Sequence, residues 1–159
     1  MAVTESTMME LGHPAPDFSL PAANPEVDDR GDDHRSLTDY DDADVLVVVF
    51  MCNHCPYVQH IEDALLAVAR TYQQRGAQFI GMTYEAACTP DIYVFDEERT
   101  LAYRGRFDET RPDGTEAHGG DLRQALDELL ETGKVTMEQH PSMGCNIKWK
   151  PDVEPAHAA

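Results

Sequence analysis

Residues 45–69, VLVVVFMCNHCPYVQHIEDALLAVA, constrain the fold of this chain more than any other stretch. The run 45–50 is continuous and β-branched, which is typical of a strand that is buried on both faces. Beyond it, apolar side chains recur at spacings of three and four, which predicts a helix of about five turns with a buried stripe of Val58, Ile61, Leu65, Val68 and Tyr72. Gly76 is expected to cap this helix, and residues 77–82, AQFIGM, to form a second strand. This order predicts a right-handed parallel crossover.

Two cysteines, Cys52 and Cys55, lie between the predicted strand and the predicted helix. If the helix starts near Asn53, Cys55 lies in its first turn, close enough to Cys52 to form a disulfide. The unpaired backbone N–H groups and the helix dipole there favour the thiolate, which is the form that attacks disulfides. Pro56 suits a first helical turn, and a partly protonated His54 would stabilise an adjacent thiolate further. The spacing therefore predicts a redox-active pair.

The same two cysteines could instead form half of a zinc site. A closed zinc site usually draws on two Cys or His pairs, whereas this sequence has one Cys-x-x-Cys pair plus the isolated Cys88 and Cys145. The position of the pair, between a buried strand and a long helix, favours redox chemistry over metal binding. We therefore predict no metal ion, and a metal site formed by the four cysteines is the alternative.

The segments before the central strand are expected to be mostly irregular. Three prolines indicate an extended edge segment over residues 12–23, because proline cannot donate a hydrogen bond inside a sheet. Residues 24–44 are strongly acidic and predict a solvated loop, in which residues 36–40, SLTDY, indicate a short helix start.

The second half of the sequence predicts a hairpin followed by a helix. Residues 91–96 and 100–107 alternate in hydrophobicity and are joined by a short polar link, which is typical of two paired strands. A helix is predicted from Asp121 to Gly133 with a buried stripe of Leu122, Ala125, Leu126, Leu129 and Leu130. A chain of 159 residues is long enough for one domain and too short for two. We expect one domain over 1–159, with a core at about 12–133 and an irregular tail over 134–159.

The formal net charge of −18, from 30 acidic and 12 basic side chains, excludes some classes of partner. Such a surface repels nucleic acid and anionic membranes, so neither is expected to bind. The N-terminus shows no secretory signal, and no run approaches the ~20 apolar residues that span a bilayer. We therefore expect a cytoplasmic protein, in which cysteines are more often catalytic or metal-binding than structural disulfides.

The acidic excess also favours a halophilic protein, adapted to a high-salt cytoplasm, over an ordinary acidic one. Repulsion between like charges destabilises the compact state, and salt screens it, since the Debye length falls from about 10 Å at 0.1 M to about 3 Å at 1 M. Thermal unfolding is expected to show a Tm that rises with added potassium chloride. A Tm that does not rise would indicate an ordinary acidic protein.

Several motifs together resemble those of the thioredoxin-fold redoxins. They are most similar to the peroxiredoxin-like thioredoxin-family proteins of the alkyl hydroperoxide reductase/thiol-specific antioxidant superfamily. The resemblance runs from about Gly12 to Pro151. Four motifs carry it, in the family's order: FMCNHCPYV, ACTPDIYVFD, YRGRFD and GCNIKWKP. The N-terminal segment PAPDFSLP also belongs to it.

This resemblance implies an α/β thioredoxin fold, with a mixed sheet and flanking helices, and a role for each cysteine of the pair. It implies Cys52 as the nucleophile and Cys55 as the resolving thiol. It also implies a cis peptide bond at Pro90, facing the dithiol, and a Thr89 backbone that faces Cys52 and pairs with an extended substrate peptide. An ordinary strand-entry proline is the alternative at Pro90.

We therefore predict a thiol–disulfide oxidoreductase that needs no prosthetic group. Its expected partners are protein or small-molecule disulfides and thiols, together with a reductant system. A thiol-dependent peroxidase with antioxidant activity is the first alternative. Peroxiredoxins place Thr or Ser three residues before the attacking cysteine and Pro seven before it, whereas Val49 and Val45 stand there relative to Cys52. Relative to Cys55 the positions hold Cys52 and Val48, so a peroxidase is disfavoured.

The sequence departs from the resembled family between the second strand and the strand that follows Pro90, where it is apparently shortened. The link can reach across the sheet, but one face of that sheet then loses a helix. Exposed apolar side chains on this face would need cover, for which a second copy of the chain, in a homo-oligomer, is one source. A non-catalytic, shortened module is accordingly the second alternative to the redox enzyme.

The two remaining cysteines are candidates for additional thiols. Cys88 precedes Thr89 directly and so could lie near the active site, although a small buried thiol is the more favoured interpretation. Cys145 could be a third redox thiol, or it could pair with Cys88. Nothing in the spacing decides between these alternatives.

Overall fold

The computed structural model describes residues 3–23, 33–82 and 88–147. Within these ranges nine strands, two α-helices and one 3-10 helix follow one another along the chain. In chain order the elements are β1 Val3–Glu5, β2 Ser19–Pro21, β3 His34–Ser36, the 3-10 helix Leu37–Tyr40, β4 Val45–Phe50, α1 Pro56–Gln73, β5 Ala77–Met82, β6 Cys88–Thr89, β7 Asp91–Phe95, β8 Leu101–Gly105, α2 Gly120–Thr132 and β9 Met143–Asn146.

A four-stranded sheet with the order β5-β4-β7-β8 forms the centre of the molecule. Strand β4 is parallel to β5 and antiparallel to β7, so the predicted crossover of strand, helix and strand is confirmed. Strands β7 and β8 form the predicted antiparallel hairpin, with a bulge between Val94 and Phe95. Phe50, the last residue of β4, is paired with both Met82 and Asp91. The end of β5 and the start of β7 therefore flank the end of β4.

Both α-helices pack on one face of the central sheet. The side chains of Val45, Val47 and Val49 point to this face and belong to the same buried cluster as residues of both helices. The side chains between them point to the other face, because successive side chains of a strand point to opposite sides. The predicted stripe of α1 is confirmed, since all five of its residues are buried. In α2 four of the five predicted residues are buried, whereas Leu130 is only partly covered.

The opposite face of the sheet is covered by the N-terminal segment and the 3-10 helix, and neither α-helix packs there. Its buried cluster joins Leu46 and Val48 to Tyr40 and, on partly buried positions, to Met9 and Phe18. This packing leaves an apolar cavity of about 280 Å³. The sequence-based expectation of a face without an α-helix agrees with this arrangement in the described part of the chain. The link over residues 83–87, where the shortening was predicted, lies outside the described residues.

Three sequence-based expectations were wrong: one about the end of a helix and two about segments expected to be irregular. The cap of α1 is Gln74, and Gly76, with φ of +96°, instead makes the turn into β5. The region predicted as a loop over 24–44 contains β3, which pairs with β2, although residues 24–32 lie outside the described part. The tail predicted as irregular contains β9, which joins β1 and β6 in a second sheet of order β1-β9-β6.

Candidate active site at the end of the central strand

The two cysteines of the Cys-x-x-Cys segment lie between β4 and α1 with opposite exposure. Cys52 is exposed, whereas only 1% of Cys55 is accessible to solvent. Asn53 and His54 form an exposed turn between them. An external disulfide can therefore meet the Cys52 sulfur without any rearrangement of the chain, while Cys55 is reached only from within the site.

Helix α1 begins at Pro56, so the prediction that it starts near Asn53 was wrong. Cys55 is the N-cap residue, with extended backbone angles of φ −82° and ψ 121°, and Pro56 is the first helical residue. The physical reason is the proline itself, because its ring disfavours helical angles in the residue before it. Cys55 still lies at the positive end of the helix dipole, where negative charge is stabilised.

Thr89 contacts both sulfurs of the pair. Its hydroxyl Oγ1 lies 3.3 Å from the Sγ of Cys52, and its carbonyl oxygen accepts a hydrogen bond of 3.1 Å from the Cys55 thiol. The Thr89–Pro90 peptide bond is cis, as the resemblance implied. The resemblance implied that the backbone of Thr89 faces Cys52. In the structure the Thr89 hydroxyl contacts Cys52, and the Thr89 backbone carbonyl contacts Cys55.

A third cysteine, Cys145, completes this cluster. Strand β9 pairs antiparallel with β6 so that Cys145 lies opposite Thr89, and its Sγ is 2.8 Å from the Sγ of Cys55. Cys145 is 8% exposed. Sequence reasoning named Cys145 as a candidate thiol but had no signal for its position, because it predicted no strand there.

Cys88 lies apart from this cluster of three sulfurs. It is fully buried, is paired with Asn146 across the sheet, and has its Sγ 4.0 Å from the carbonyl oxygen of Ser142. Burial, followed by the negative charge of Asp91, raises the pKa of this thiol well above its usual range. Its position is that of a small buried side chain, which was the favoured interpretation.

The thiols of Cys55 and Cys145 have pKa values that are shifted in opposite directions. Burial alone would raise the pKa of Cys55, but the adjacent Cys145 thiol and the backbone N–H groups of Val58 and Cys145 outweigh it, and the pKa is lowered. Burial and the neighbouring Cys55 sulfur raise the pKa of Cys145 to about 11. Two thiols this close do not both ionise readily, so Cys55 loses its proton at a lower pH than Cys145 does.

Behind Pro90 lies a buried carboxyl group that sequence reasoning missed. Asp91 is 1% exposed, and it accepts hydrogen bonds from the hydroxyls of Ser6, at 2.5 Å, and Tyr93, at 3.0 Å. Burial raises the pKa of Asp91 more than these hydrogen bonds lower it. The contact with Ser6 ties the N-terminal segment to the strand that carries Pro90.

A cavity of about 180 Å³ opens beside the site between α1, the loop after β8 and the segment before β9. Its wall includes Tyr57 and Pro90 next to the cysteines. The loop is held by Asp108, whose carboxylate accepts hydrogen bonds of 2.7 Å from the backbone N–H groups of His118 and Gly119. Burial would raise the pKa of Asp108, but these and the Thr110 hydrogen bonds lower it. The cavity thus has a fixed wall of mixed polarity.

Residues 3–23, 33–82 and 88–147 offer neither a metal site nor a helical membrane span. No group of three or more His, Cys, Asp or Glu side chains in these ranges is arranged to hold a metal ion. Neither α-helix has the length and apolar character that a membrane span requires.

Comparison with known proteins matches residues 11–91 to the AhpC/TSA family. A hypothetical protein from Sinorhizobium meliloti 1021 has a similar structure, with 32% identity and a TM-score of 0.83 over 93% of this chain and 99% of that chain. An uncharacterized conserved protein from Geobacillus kaustophilus gives 32% identity and a TM-score of 0.85 over 96% of this chain and 99% of that chain. No functionally curated protein matches the sequence.

A more distant likeness bears on the fold alone. The thioredoxin domain of a thiol-disulfide oxidoreductase from Bacteroides vulgatus has 16% identity and a TM-score of 0.56, over 78% of this chain and all of that domain. The predicted thioredoxin fold is confirmed by this likeness together with the mixed sheet and its two helices.

Proposed function

Because the chain belongs to the AhpC/TSA family and is a thioredoxin-like redoxin, we propose that it is a thiol–disulfide oxidoreductase that uses Cys52 and Cys55 as its dithiol. The observation that carries this proposal is the contact of both sulfurs with Thr89, one through its hydroxyl and one through its carbonyl oxygen. The exposed Cys52 thiol is available to a substrate. The buried Cys55 thiol contacts the same residue, Thr89, from inside the site, which suits it to resolve a mixed disulfide on Cys52.

The proposed reaction consists of two exchanges. The Cys52 thiolate attacks one sulfur of a substrate disulfide, forms a mixed disulfide and releases the other substrate sulfur as a thiolate. The Cys55 thiolate then attacks the Cys52 sulfur and releases the second substrate sulfur. Two electrons pass from the dithiol to the substrate, and a separate reductant must restore the dithiol. The lowered pKa of Cys55 supports its role in the second exchange.

The substrates that fit this site are disulfides of proteins or small molecules. An extended peptide can reach Cys52 because this side chain is exposed, and the 180 Å³ cavity beside Tyr57 and Pro90 offers room for the adjacent part of a substrate. The formal charge of −18 favours substrates that are neutral or basic near their disulfide.

A thiol-dependent peroxidase is the second candidate function. The observation that favours it is the Thr89 hydroxyl, 3.3 Å from the Cys52 sulfur, which could donate a hydrogen bond to a bound peroxide. Against it, apolar Val45 and Val49 stand where peroxiredoxins carry their proline and their hydroxyl donor.

The two candidates are separated by assaying one preparation of the protein with two substrates. We expect it to accelerate the reduction of insulin by dithiothreitol well above the rate of dithiothreitol alone. We expect hydrogen peroxide to be consumed at the rate of free thiols. Rapid peroxide consumption without acceleration of insulin reduction would reverse the order of the two candidates, and acceleration of neither reaction would refute both.

A further inference from the structure

We propose that Cys145 is a third redox-active thiol, which takes over the disulfide from Cys52 by bonding to Cys55. This inference rests on the exchange proposed above and adds a second, buried position for the same disulfide. Its basis is the distance of 2.8 Å between the sulfurs of Cys55 and Cys145. A formed disulfide has a length of ~2.05 Å, so the two sulfurs need to approach by less than one ångström.

The sheet holds Cys145 in this position from both sides. Strand β9 is the middle strand of its sheet, and Cys145 is paired with Val3 of β1 and with Thr89 of β6. Cys55 is held from its own side by its place at the start of α1. The contact between the sulfurs is thus fixed by two separate elements of the fold.

Cys88 does not share this arrangement, although it is also buried. Adjacent residues of a strand point to opposite faces, so the side chain of Cys88 points away from the face on which Thr89 meets the two sulfurs of the proposed dithiol. Its sulfur lies 4.0 Å from the Ser142 carbonyl oxygen. Cys88 is therefore a matched control: a buried cysteine in the neighbouring strand without the contact that defines Cys145.

The protonation of the pair is consistent with exchange between its members. Burial raises the pKa of both thiols, but contact with Cys145 and the backbone hydrogen bonds lower the pKa of Cys55 overall, whereas contact with Cys55 adds to burial and raises the pKa of Cys145 to about 11. In the reduced protein the Cys55 thiol is the hydrogen-bond donor and the Cys145 sulfur is the acceptor, at 2.8 Å. When Cys55 is oxidised it can no longer carry a negative charge, so one cause of the raised pKa of Cys145 is removed, while burial, the larger cause, remains.

The proposed step is an internal disulfide exchange. Starting from the Cys52–Cys55 disulfide, the Cys145 thiolate attacks the Cys55 sulfur. The bond between Cys55 and Cys145 forms, the bond between Cys52 and Cys55 breaks, and Cys52 leaves as a thiolate that takes up the proton lost by Cys145. One disulfide is present before and after the step, so neither an oxidant nor a reductant is consumed.

The exchange would move the disulfide out of reach of solvent. Cys52 is exposed, whereas Cys55 and Cys145 are 1% and 8% accessible, so external thiols meet the inner disulfide with difficulty. Attack by Cys52 on the Cys55 sulfur reverses the step and returns the disulfide to the surface. The oxidised protein would thereby resist small thiols and still present a free Cys52 to its partner.

Peptide mapping of the oxidised protein tests this inference. The protein is oxidised with oxidised glutathione, quenched with acid, unfolded, alkylated with N-ethylmaleimide and digested with trypsin. Cys52 and Cys55 fall in one tryptic peptide, residues 36–70, while Cys145 falls in 135–148 and Cys88 in 76–99. An intact inner disulfide is thus visible as two linked peptides, with the alkyl group on Cys52.

We expect wild-type protein to yield this linked pair, Cys145→Ser to lose it, and Cys88→Ser to retain it. Wild-type protein that yields only a disulfide within peptide 36–70, while still reducing insulin, overturns the role of Cys145 and leaves the proposed function intact. A different result would refute the proposed function instead. In that case peptides 36–70 and 135–148 are linked, Cys52 forms no disulfide under any condition, and the protein does not reduce insulin. Because the decisive result comes from wild-type protein, poor folding of a variant does not obscure it.

Discussion

Replacement of Cys52 by serine is expected to lower the rate of insulin reduction to that of dithiothreitol alone. A serine hydroxyl does not ionise near neutral pH and does not attack disulfides, and Cys52 is the exposed member of the three clustered thiols. Cys55 and Cys145, both buried, cannot meet a protein disulfide in its place. The measurement is the turbidity that appears as reduced insulin precipitates.

Replacement of Cys55 by serine is expected to stop the reaction at a later step than replacement of Cys52 does. Cys55→Ser keeps the attacking thiol and removes the resolving thiol, so the protein should accumulate as a mixed disulfide with its substrate. Non-reducing electrophoresis should show this adduct for Cys55→Ser and not for Cys52→Ser. Cys88→Ser, which changes a buried thiol outside the cluster, should resemble wild type in both assays. Equal activity in Cys52→Ser and wild type would contradict the assignment.

Replacement of Gly144 by alanine is expected to damage both stability and activity. A methyl group at this position would lie 1.9 Å from the carbonyl oxygen of Thr89 and 2.6 Å from its carbonyl carbon. These are backbone atoms and cannot swing away, so β9 must separate from β6. The separation would move Thr89 away from the sulfurs of Cys52 and Cys55.

Overpacking of this kind costs about 2–3 kcal/mol. For a chain of this length the corresponding decrease in Tm is roughly 4–12 °C. Gly114→Ala is the control, because its methyl group would meet backbone atoms only at 3.4 Å, an ordinary contact. Thermal unfolding and the insulin assay, run on both variants, check the prediction. A Gly144→Ala protein with wild-type Tm and activity would show that the close approach of β9 and β6 is not needed.

The parts of the fold that sequence reasoning predicted are those with strong local periodicity. Strand β4 is a run of buried β-branched residues, and α1 carries a stripe at spacings of three and four, so each pattern has one matching element. The hairpin β7–β8 was also predicted, although only β8 alternates between buried and partly exposed positions, and β7 is buried at all five. Local pattern and tertiary packing agree in these segments, so no long-range information was needed.

The segments that sequence reasoning missed depend on long-range contacts. Strand β9 has four residues, MGCN, with no alternation of apolar and polar side chains, and it becomes a strand through pairing with β1 and β6. The cluster of Cys55 and Cys145 follows from that pairing, and the two residues are 90 positions apart. The start of α1 was also misplaced, although the effect of Pro56 on the residue before it was a usable local signal.

A redox titration of Cys145→Ser shows whether Cys52 and Cys55 form a reversible disulfide. In this variant Cys145 can no longer compete for the Cys55 sulfur. The protein is equilibrated in buffers of reduced and oxidised dithiothreitol, quenched, and assayed for the disulfide within peptide 36–70. We predict one two-electron transition, in which the ratio of oxidised to reduced protein changes tenfold for every ~30 mV of buffer potential. A Cys52 that is fully alkylated at every ratio of oxidised to reduced dithiothreitol would show that the two cysteines do not form this disulfide.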